Sequence, residues 1–206
     1  MDQPVGYFLR HPEYQMNVPG VCYNYHFAAN GVFIEAENPL IYALVPIAFC
    51  HIRGVQPMGP EVRLKNGRVP GSLFDLSVNT AIAQVDREFY FAVTWPGDGK
   101  YHLMLTHQAG IEGKVDYYTQ DNTVLEIHSH GRLAAAFSSI DDQDEQGLRA
   151  ACVIGCLDRE PQVAVRLGVY GYQFEVDWSM VFEGELTSAK RYQEVIPEEV
   201  RLELPG

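Results

Sequence analysis

Two histidines one residue apart, followed by a Ser-x-x-Asp pattern, place the strongest constraint on how this chain folds. One residue separates His128 from His130, and seven residues then lead to Ser138 and Asp141. Side chains two apart face the same side of an extended strand, whereas side chains three apart share a face on a helix. The stretch therefore predicts a strand, a connection and the first turn of a helix, with four side chains able to converge.

Most of the remaining segments are typical of β-strands. The dipeptide Asn30-Gly31 lies between two apolar segments, which is a strong hairpin signal. Apolar residues recur at helical spacing over residues 71–85, where Ser72 begins a Ser-x-x-Asp pattern that predicts a capping box. A second helix, rich in acidic residues at its start, is predicted from Ser138 onward. These patterns predict an α/β protein of the α+β type with an N-terminal antiparallel β unit.

The best domain boundary is a segment rich in Gly, Pro and charged residues between positions 54 and 71. Residues 1–66 then form the N-terminal β unit, which either covers a sheet face or recognises a partner. Residues 67–184 form the domain that carries the histidines. Residues 185–206 form a C-terminal tail or a short docking helix.

The composition disfavours some classes of partner. The chain has 27 acidic and 15 basic side chains, which gives a formal charge of −12. This charge repels phosphate groups, so direct binding of nucleic acid is not expected. We expect no membrane association, because no window approaches the roughly 18 apolar residues of a spanning helix and no signal peptide is apparent. The four scattered cysteines are predicted to be buried thiols of a cytoplasmic protein.

The convergent side chains have the chemistry of a metal site. Two imidazoles and one carboxylate are ligands that zinc accepts, and three protein ligands leave the fourth tetrahedral position for water. We therefore expect His128, His130 and Asp141 to bind Zn2+, although these ligands leave iron and manganese open. Water at the open position can reach a pKa of about 7. Ser138 is then predicted to hydrogen-bond the oxyanion that forms when a carbonyl is attacked.

The full pattern, H-x-H, seven residues and S-x-x-D, resembles the motif of the JAMM (MPN+ or JAB) zinc metallopeptidases. The resemblance covers roughly residues 69–183. It implies a JAB/MPN-like mixed β-sheet flanked by helices and one bound zinc ion. It also implies hydrolysis of a peptide or isopeptide bond at the C-terminal tail of a ubiquitin-like protein, as in deubiquitinases of this type.

The residues around the motif are most similar to the protein A family of the PRTRC cassette. This similarity is carried by residues 124–147, V-L-E-I-H-S-H-G-R-L-A-A-A-F-S-S-I-D-D-Q-D-E-Q-G. The cassette occurs on plasmids and integrative elements, beside an E1/ThiF-like protein and a small ubiquitin-like protein. The resemblance thus implies a ubiquitin-like protein, or its conjugates, as the partner.

The JAMM resemblance also implies a glutamate that acts as general base just after the first helix, at the start of a strand. Glu88 is at the matching position and is predicted to take the proton from water and pass it to the leaving amine. Small residues and glycine often follow this glutamate in the family, whereas Phe89 and further aromatic residues follow here. Glu126, on the same strand face as His128, is the rival, and Glu35 is the third candidate.

Two details of the motif need separate attention. Ser139 and Asp142 repeat the S-x-x-D pattern one residue later, but the seven-residue spacer selects Ser138 and Asp141. Gly131 follows the second histidine where many relatives have proline, which predicts a looser turn.

Two other functions are compatible with this pattern. The first is a non-catalytic interaction module on the same scaffold, which is disfavoured because inactive relatives usually lose metal ligands. The second is a RadC-like domain associated with DNA metabolism, which shares a similar metal motif. Its H-N-H-P-S-G text is absent here, and the acidic charge disfavours contact with DNA.

Overall fold

The fold consists mainly of β-strands arranged in mixed sheets. The computed structural model describes residues 3–13, 15–105, 121–138, 141, 147–188 and 190–191. Within these ranges the strands form a six-stranded sheet, a seven-stranded sheet and a two-stranded pair, together with one α-helix. This architecture is compatible with the predicted α/β class. Nowhere in the same ranges is a helix both long enough and apolar enough to cross a membrane.

The first sheet comes from the N-terminal third of the chain. Its strands are β1 (Val5–Arg10), β2 (Gln15–Val18), β3 (Tyr23–Ala28), β4 (Gly31–Glu37), β5 (Ile41–Ala48) and β6 (Glu61–Leu64). They lie in the order β2-β1-β3-β4-β5-β6. The predicted hairpin is confirmed, because β3 and β4 pair antiparallel with Ala28 opposite Gly31. The expectation of a purely antiparallel unit is wrong: β2 returns the chain along one side of β1, and β3 then pairs parallel to β1 on the other side.

The described helix, α1 (Gly71–Ile82), follows the short strand β7 (Val69–Pro70) and ends three residues before the predicted end at position 85. Phe74 and Val78 on its inner face are fully buried. The predicted capping box at Ser72 is wrong, because no side chain caps this helix.

Asp75, the acidic partner expected in that capping box, instead holds a segment near the C-terminus. Its carboxylate accepts hydrogen bonds from the Thr187 hydroxyl at 2.7 Å and the Ser188 backbone N–H at 2.9 Å. Long-range contacts have therefore replaced the local cap that the spacing suggested.

The second sheet carries the predicted site. Its strands are β8 (Tyr90–Thr94), β9 (His102–Leu105), β10 (Thr123–Ser129), β11 (Leu148–Gly155), β12 (Gln162–Val169), β13 (Tyr172–Val176) and β15 (Lys190–Arg191). The order is β13-β12-β11-β10-β8-β9, with β15 added beside β12. β10 is central, antiparallel to β8 and parallel to β11. A 3₁₀ turn (Trp178–Met180) precedes β14 (Phe182–Glu183), which pairs with β7.

The larger of two hydrophobic clusters in the described residues joins the two large sheets and the helix. It contains Ile34 and Ile41 from the first sheet, Phe74 from α1, and Ile127 and Leu167 from the second sheet. These side chains are at most 1% exposed. Because side chains alternate along a strand, the inward side chain of Ile127 directs its two neighbours on β10 to the opposite face.

Several predicted features fall wholly or partly outside the described residues. Of the residues from Ser138 up to β11, only Ser138, Asp141 and Gly147 are described, so the alternative pair Ser139 and Asp142 lies outside. The same holds for residues 192–206 of the predicted tail.

The four cysteines are free, but they are not all buried. Cys152 and Cys156 are buried, as predicted. Cys22 is only partly buried and Cys50 is exposed, so the prediction is wrong for these two. Cys50 follows the end of β5, where the chain has already left the sheet that would cover it.

Candidate metal centre

The two histidines of the H-x-H pattern meet at the C-terminal end of β10. Their Nε2 atoms are 3.1 Å apart, and the ring of His128 is almost completely buried. Ile127 and Ser129, at the alternate positions, are 0% exposed. The pleat of the strand thus directs the imidazoles to one face, as the spacing predicted.

Asp141 completes the group from the far end of the connecting loop. Its Oδ1 lies 3.2 Å from His128 Nε2. The nearest ligand atoms of His128, His130 and Asp141 are all within 4.8 Å of one another. The predicted convergence of these three side chains is confirmed, and their binding of a metal stays a prediction.

Ser138 holds the carboxylate of Asp141 in place. Its backbone N–H and its hydroxyl donate to Asp141 Oδ2 at 2.6 and 2.7 Å, and the Asp141 N–H lies 3.4 Å from Ser138 Oγ. These reciprocal hydrogen bonds form a capping box. In this motif the N-cap residue of a helix and the residue three positions later each bond the other's backbone N–H. Oδ2 is thereby occupied, while Oδ1 faces the histidines.

The two separations that involve His128 Nε2 match those around a tetrahedral zinc ion, and the third is within 4.8 Å. With Zn–N bonds of about 2.05 Å, two ligands of such an ion are about 3.3 Å apart. The observed separations of 3.1 Å and 3.2 Å are close to that value. Ligating carboxylates are usually hydrogen-bonded through a second oxygen, as Oδ2 of Asp141 is by Ser138. The donor set therefore suits zinc.

The protonation states also suit a metal. Burial lowers the pKa of His128 to about 4, although the nearby carboxylate opposes this shift. Burial tends to raise the pKa of Asp141, but the hydrogen bonds from Ser138 outweigh it and lower that pKa below its usual range. At neutral pH the site thus has a neutral imidazole at His128 and an ionised carboxylate, the forms that bind metal ions.

Aromatic side chains surround His128, and the sequence patterns had not singled them out. Tyr90, its cross-strand neighbour on β8, stacks on the imidazole with centroids 5.3 Å apart and an angle of 15°. Phe137 meets the same ring edge-on at 6.3 Å, and the buried guanidinium of Arg166 lies 3.9 Å from the Phe137 centroid. Tyr90 precedes His128 by 38 positions in the sequence, so only the pairing of β8 with β10 shows that it is a neighbour of His128.

Glu88 lies in the chain segment that enters β8. Tyr90 is opposite His128 in the antiparallel register, and the backbone N–H of Ser129 donates to the carbonyl of Phe89 at 2.9 Å. Continuing this register by one more residue puts Glu88 across from His130. Its side chain is exposed. Its role as base stays a prediction.

The two rival glutamates have other partners. Glu126 lies two residues before His128 on β10, and its carboxylate accepts a hydrogen bond from Arg149 at 2.9 Å. It lines a surface pocket together with Arg149. Glu35 lies in the first sheet, where His26, Asn24 and Tyr42 hydrogen-bond its carboxylate at 2.9 Å each. None of the three candidate glutamates, Glu88 included, belongs to the three-residue group at His128.

The turn after the second histidine depends on glycine. Gly131 has φ +54°, in the left-handed region, and a Cβ built there would lie 2.5 Å from the carbonyl oxygen of Val85. Proline, which many JAMM proteins have here, fixes φ near −65° and cannot adopt this backbone. The turn lies close to the Val85 segment, and the expectation of a looser turn stays a prediction.

Comparison with known proteins adds no family to these observations. No protein-family model matches the chain, and no curated protein gives a significant match.

Proposed function

We propose that this chain is a JAMM-type zinc metallopeptidase that hydrolyses a peptide or isopeptide bond at the C-terminal tail of a ubiquitin-like protein. The observation that carries the proposal is the convergence of the His128, His130 and Asp141 ligand atoms within 4.8 Å. Three residues from a strand and a later turn meet in the order and spacing of the JAMM motif, with protonation states that favour a metal.

His130 and Asp141 are only partly buried, so the site is accessible to substrate and water on their side. A zinc ion held by these three ligands supplies a Lewis acid beside the scissile carbonyl and makes a water nucleophile available at neutral pH. Tyr90, stacked on His128, keeps that imidazole in the orientation needed for ligation.

Glu88 acts as the general base and acid in this proposal. Extending the β8–β10 register beyond Tyr90 and His128 puts Glu88 across from His130, and its exposed carboxylate then takes a proton from the attacking water. The same carboxylic acid then gives the proton to the departing amine. Glu126 remains the rival, although its ion pair with Arg149 commits its carboxylate elsewhere.

Ser138 has one hydroxyl proton, and in this structure that proton is directed at Asp141. Holding the carboxylate is therefore its observed contact. Its proposed second role, donation to the oxyanion, requires the hydroxyl to rotate away from Oδ2, after which the backbone N–H of Ser138 still holds Asp141.

The wider proposal follows from the same resemblance. Residues 67–184 are the JAB/MPN-like domain, residues 1–66 cover it or recognise a partner, and residues 185–206 are a tail. The partner is a ubiquitin-like protein or its conjugates, encoded beside an E1/ThiF-like protein in a PRTRC-type cassette, and the site of action is the cytoplasm.

The test uses ubiquitin-like proteins that carry a short reporter peptide at the C-terminus. We expect release of the peptide by the zinc-loaded protein, loss of release with a chelator, and recovery when zinc is restored. Glu88→Gln should lower kcat by about 10²- to 10⁴-fold while zinc still binds. His130→Ala should abolish both zinc binding and cleavage.

Glu126→Gln is the matched control, because it changes the rival carboxylate to the same amide. Loss of activity in Glu126→Gln with retention in Glu88→Gln would reverse the assignment of the base. Stoichiometric binding of the reporter protein without turnover at any zinc concentration would favour the interaction module instead. A salt-dependent shift of duplex DNA in a gel would favour the RadC-like alternative.

A further inference from the structure

We infer that Ser129, the residue between the two histidines, is a positioning residue that holds Glu88 at the metal-binding face. This inference rests on the proposed function, because it assigns a role toward the proposed base. Ser129 is 0% exposed, and its side chain lies on the opposite side of β10 from the imidazoles. It therefore has no direct access to a substrate.

Two hydrogen bonds connect Ser129 to the segment that enters β8, and both are made with Phe89. The Ser129 N–H donates to the Phe89 carbonyl, and the Phe89 N–H donates to Ser129 Oγ, each at 2.9 Å. In a regular antiparallel pair the second of these bonds would go to a backbone carbonyl. A hydroxyl takes that place here, so β8 is held to β10 at a position beyond the regular pairing, which ends at Tyr90 and His128.

Glu88 is the next residue toward the N-terminus from this double attachment. Phe89 is buried, with 8% of its surface exposed. It therefore anchors the chain next to Glu88, whose own side chain is exposed. Without the hydroxyl, the Phe89 N–H would be buried without this acceptor, and the segment would gain freedom to move away from the histidines.

Two further contacts attach the same segment to the residues after His130. The backbone of Gly131 packs against the Val85 carbonyl, and Arg132 forms an ion pair with Asp86 at 3.0 Å. The ion pair is exposed and therefore contributes little. The Ser129 hydroxyl is the buried attachment and the one nearest to Glu88, so it is the contact expected to set the position of the carboxylate.

The test compares Ser129→Ala with Ser77→Ala. Ser77 is also 0% exposed and donates from its hydroxyl to the Leu73 carbonyl at 3.0 Å within α1. Both variants therefore lose one buried hydroxyl, but only Ser129→Ala loses the bond to Phe89. With the reporter-peptide substrate, we expect Ser129→Ala to lower kcat by about 10- to 100-fold. KM and zinc affinity should stay within about twofold of wild type, since Ser129 contacts neither substrate nor metal.

Hydrogen exchange of the Phe89 amide supplies a readout that does not depend on activity. We expect its protection to fall by about tenfold in Ser129→Ala and to stay unchanged in Ser77→Ala. Ser129→Thr restores a hydroxyl and should recover both Phe89 protection and kcat. If Ser129→Ala is unfolded, the same comparison is made between Ser129→Thr and Ser129→Val. Valine has the shape of threonine but lacks the hydroxyl.

The outcomes separate this inference from the proposed function. An active, chelator-sensitive wild type together with equal kcat in Ser129→Ala and Ser77→Ala overturns the positioning role alone. Unchanged Phe89 protection in Ser129→Ala also overturns it. A wild type that binds zinc but cleaves no reporter substrate refutes the proposed function, and the inference falls with it.

Discussion

Gly131 provides a sharp test of how closely the turn after the histidines must pack. Replacing it with alanine adds a Cβ 2.5 Å from the Val85 carbonyl oxygen, whereas ordinary contacts begin near 3.4 Å. The turn and the Val85 segment must therefore separate by about 0.9 Å. Alanine at φ +54° adds backbone strain of about 1–2 kcal/mol.

The matched control is Gly67→Ala, at a position with φ +86° where an added Cβ meets nothing within 4 Å. Both variants carry left-handed strain, but only Gly131→Ala pushes the turn after His130 away from the Val85 segment that precedes Glu88. A misplacement of about 1 Å can cost about 100-fold in rate, so we expect a kcat loss of that order in Gly131→Ala alone.

The assays for this pair are urea unfolding, zinc competition with a chromogenic chelator, and cleavage of the reporter substrate. Gly67→Ala should lose stability while its zinc affinity and kcat stay at wild-type values. Gly131→Ala should lose more stability and also bind zinc more weakly. If the two variants lose equal stability and retain equal activity, the close approach of the turn to Val85 has no role in the site.

Three more perturbations give separate checks. Hydrogen bonds, led by the one with His26, lower the pKa of Glu35 to about 2, so its carboxylate stabilises the fold above pH 4.5 and loses that contribution as the pH falls toward 2. In urea titrations from pH 7 to 3, Glu35→Gln should remove about 3 kcal/mol at pH 7 and flatten the acid dependence; parallel curves would contradict this. Asp141→Asn should weaken zinc binding at least about tenfold by equilibrium dialysis, and equal affinity would exclude Asp141 as a ligand. Phe74→Ala should cost about 3–5 kcal/mol in unfolding free energy, because Phe74 is fully buried against Phe182; a smaller loss would mean that the core refills the space.

Much of the candidate metal centre was predictable because its geometry is local. A strand directs residues two apart to one side, so His128 and His130 had to converge wherever β10 lay in the sheet. A helix start brings residues three apart together, so Ser138 could bond Asp141 in any tertiary context. The same spacing rule failed at Ser72, where no capping box forms and Asp75 turns to distant partners at Thr187 and Ser188.

The surroundings of the centre could not be predicted in the same way. Nothing between Tyr90 and His128 in sequence indicates that β8 pairs with β10 in the register that stacks their rings. The burial that lowers the pKa of His128 likewise comes from elements far apart in the chain. The parallel pairing of β1 with β3 was missed for the same reason, since no turn between them specifies it.

The amino-acid sequence by itself determined which side chains could act as ligands, because their spacing within one strand and one helix turn follows from backbone geometry. Only the tertiary structure decided what stands beside them: the Tyr90 ring on His128 and the Ser129 hydroxyl that accepts from Phe89. Those neighbours depend on which strands bury their apolar faces together, and that choice is made by the whole core rather than by any one segment.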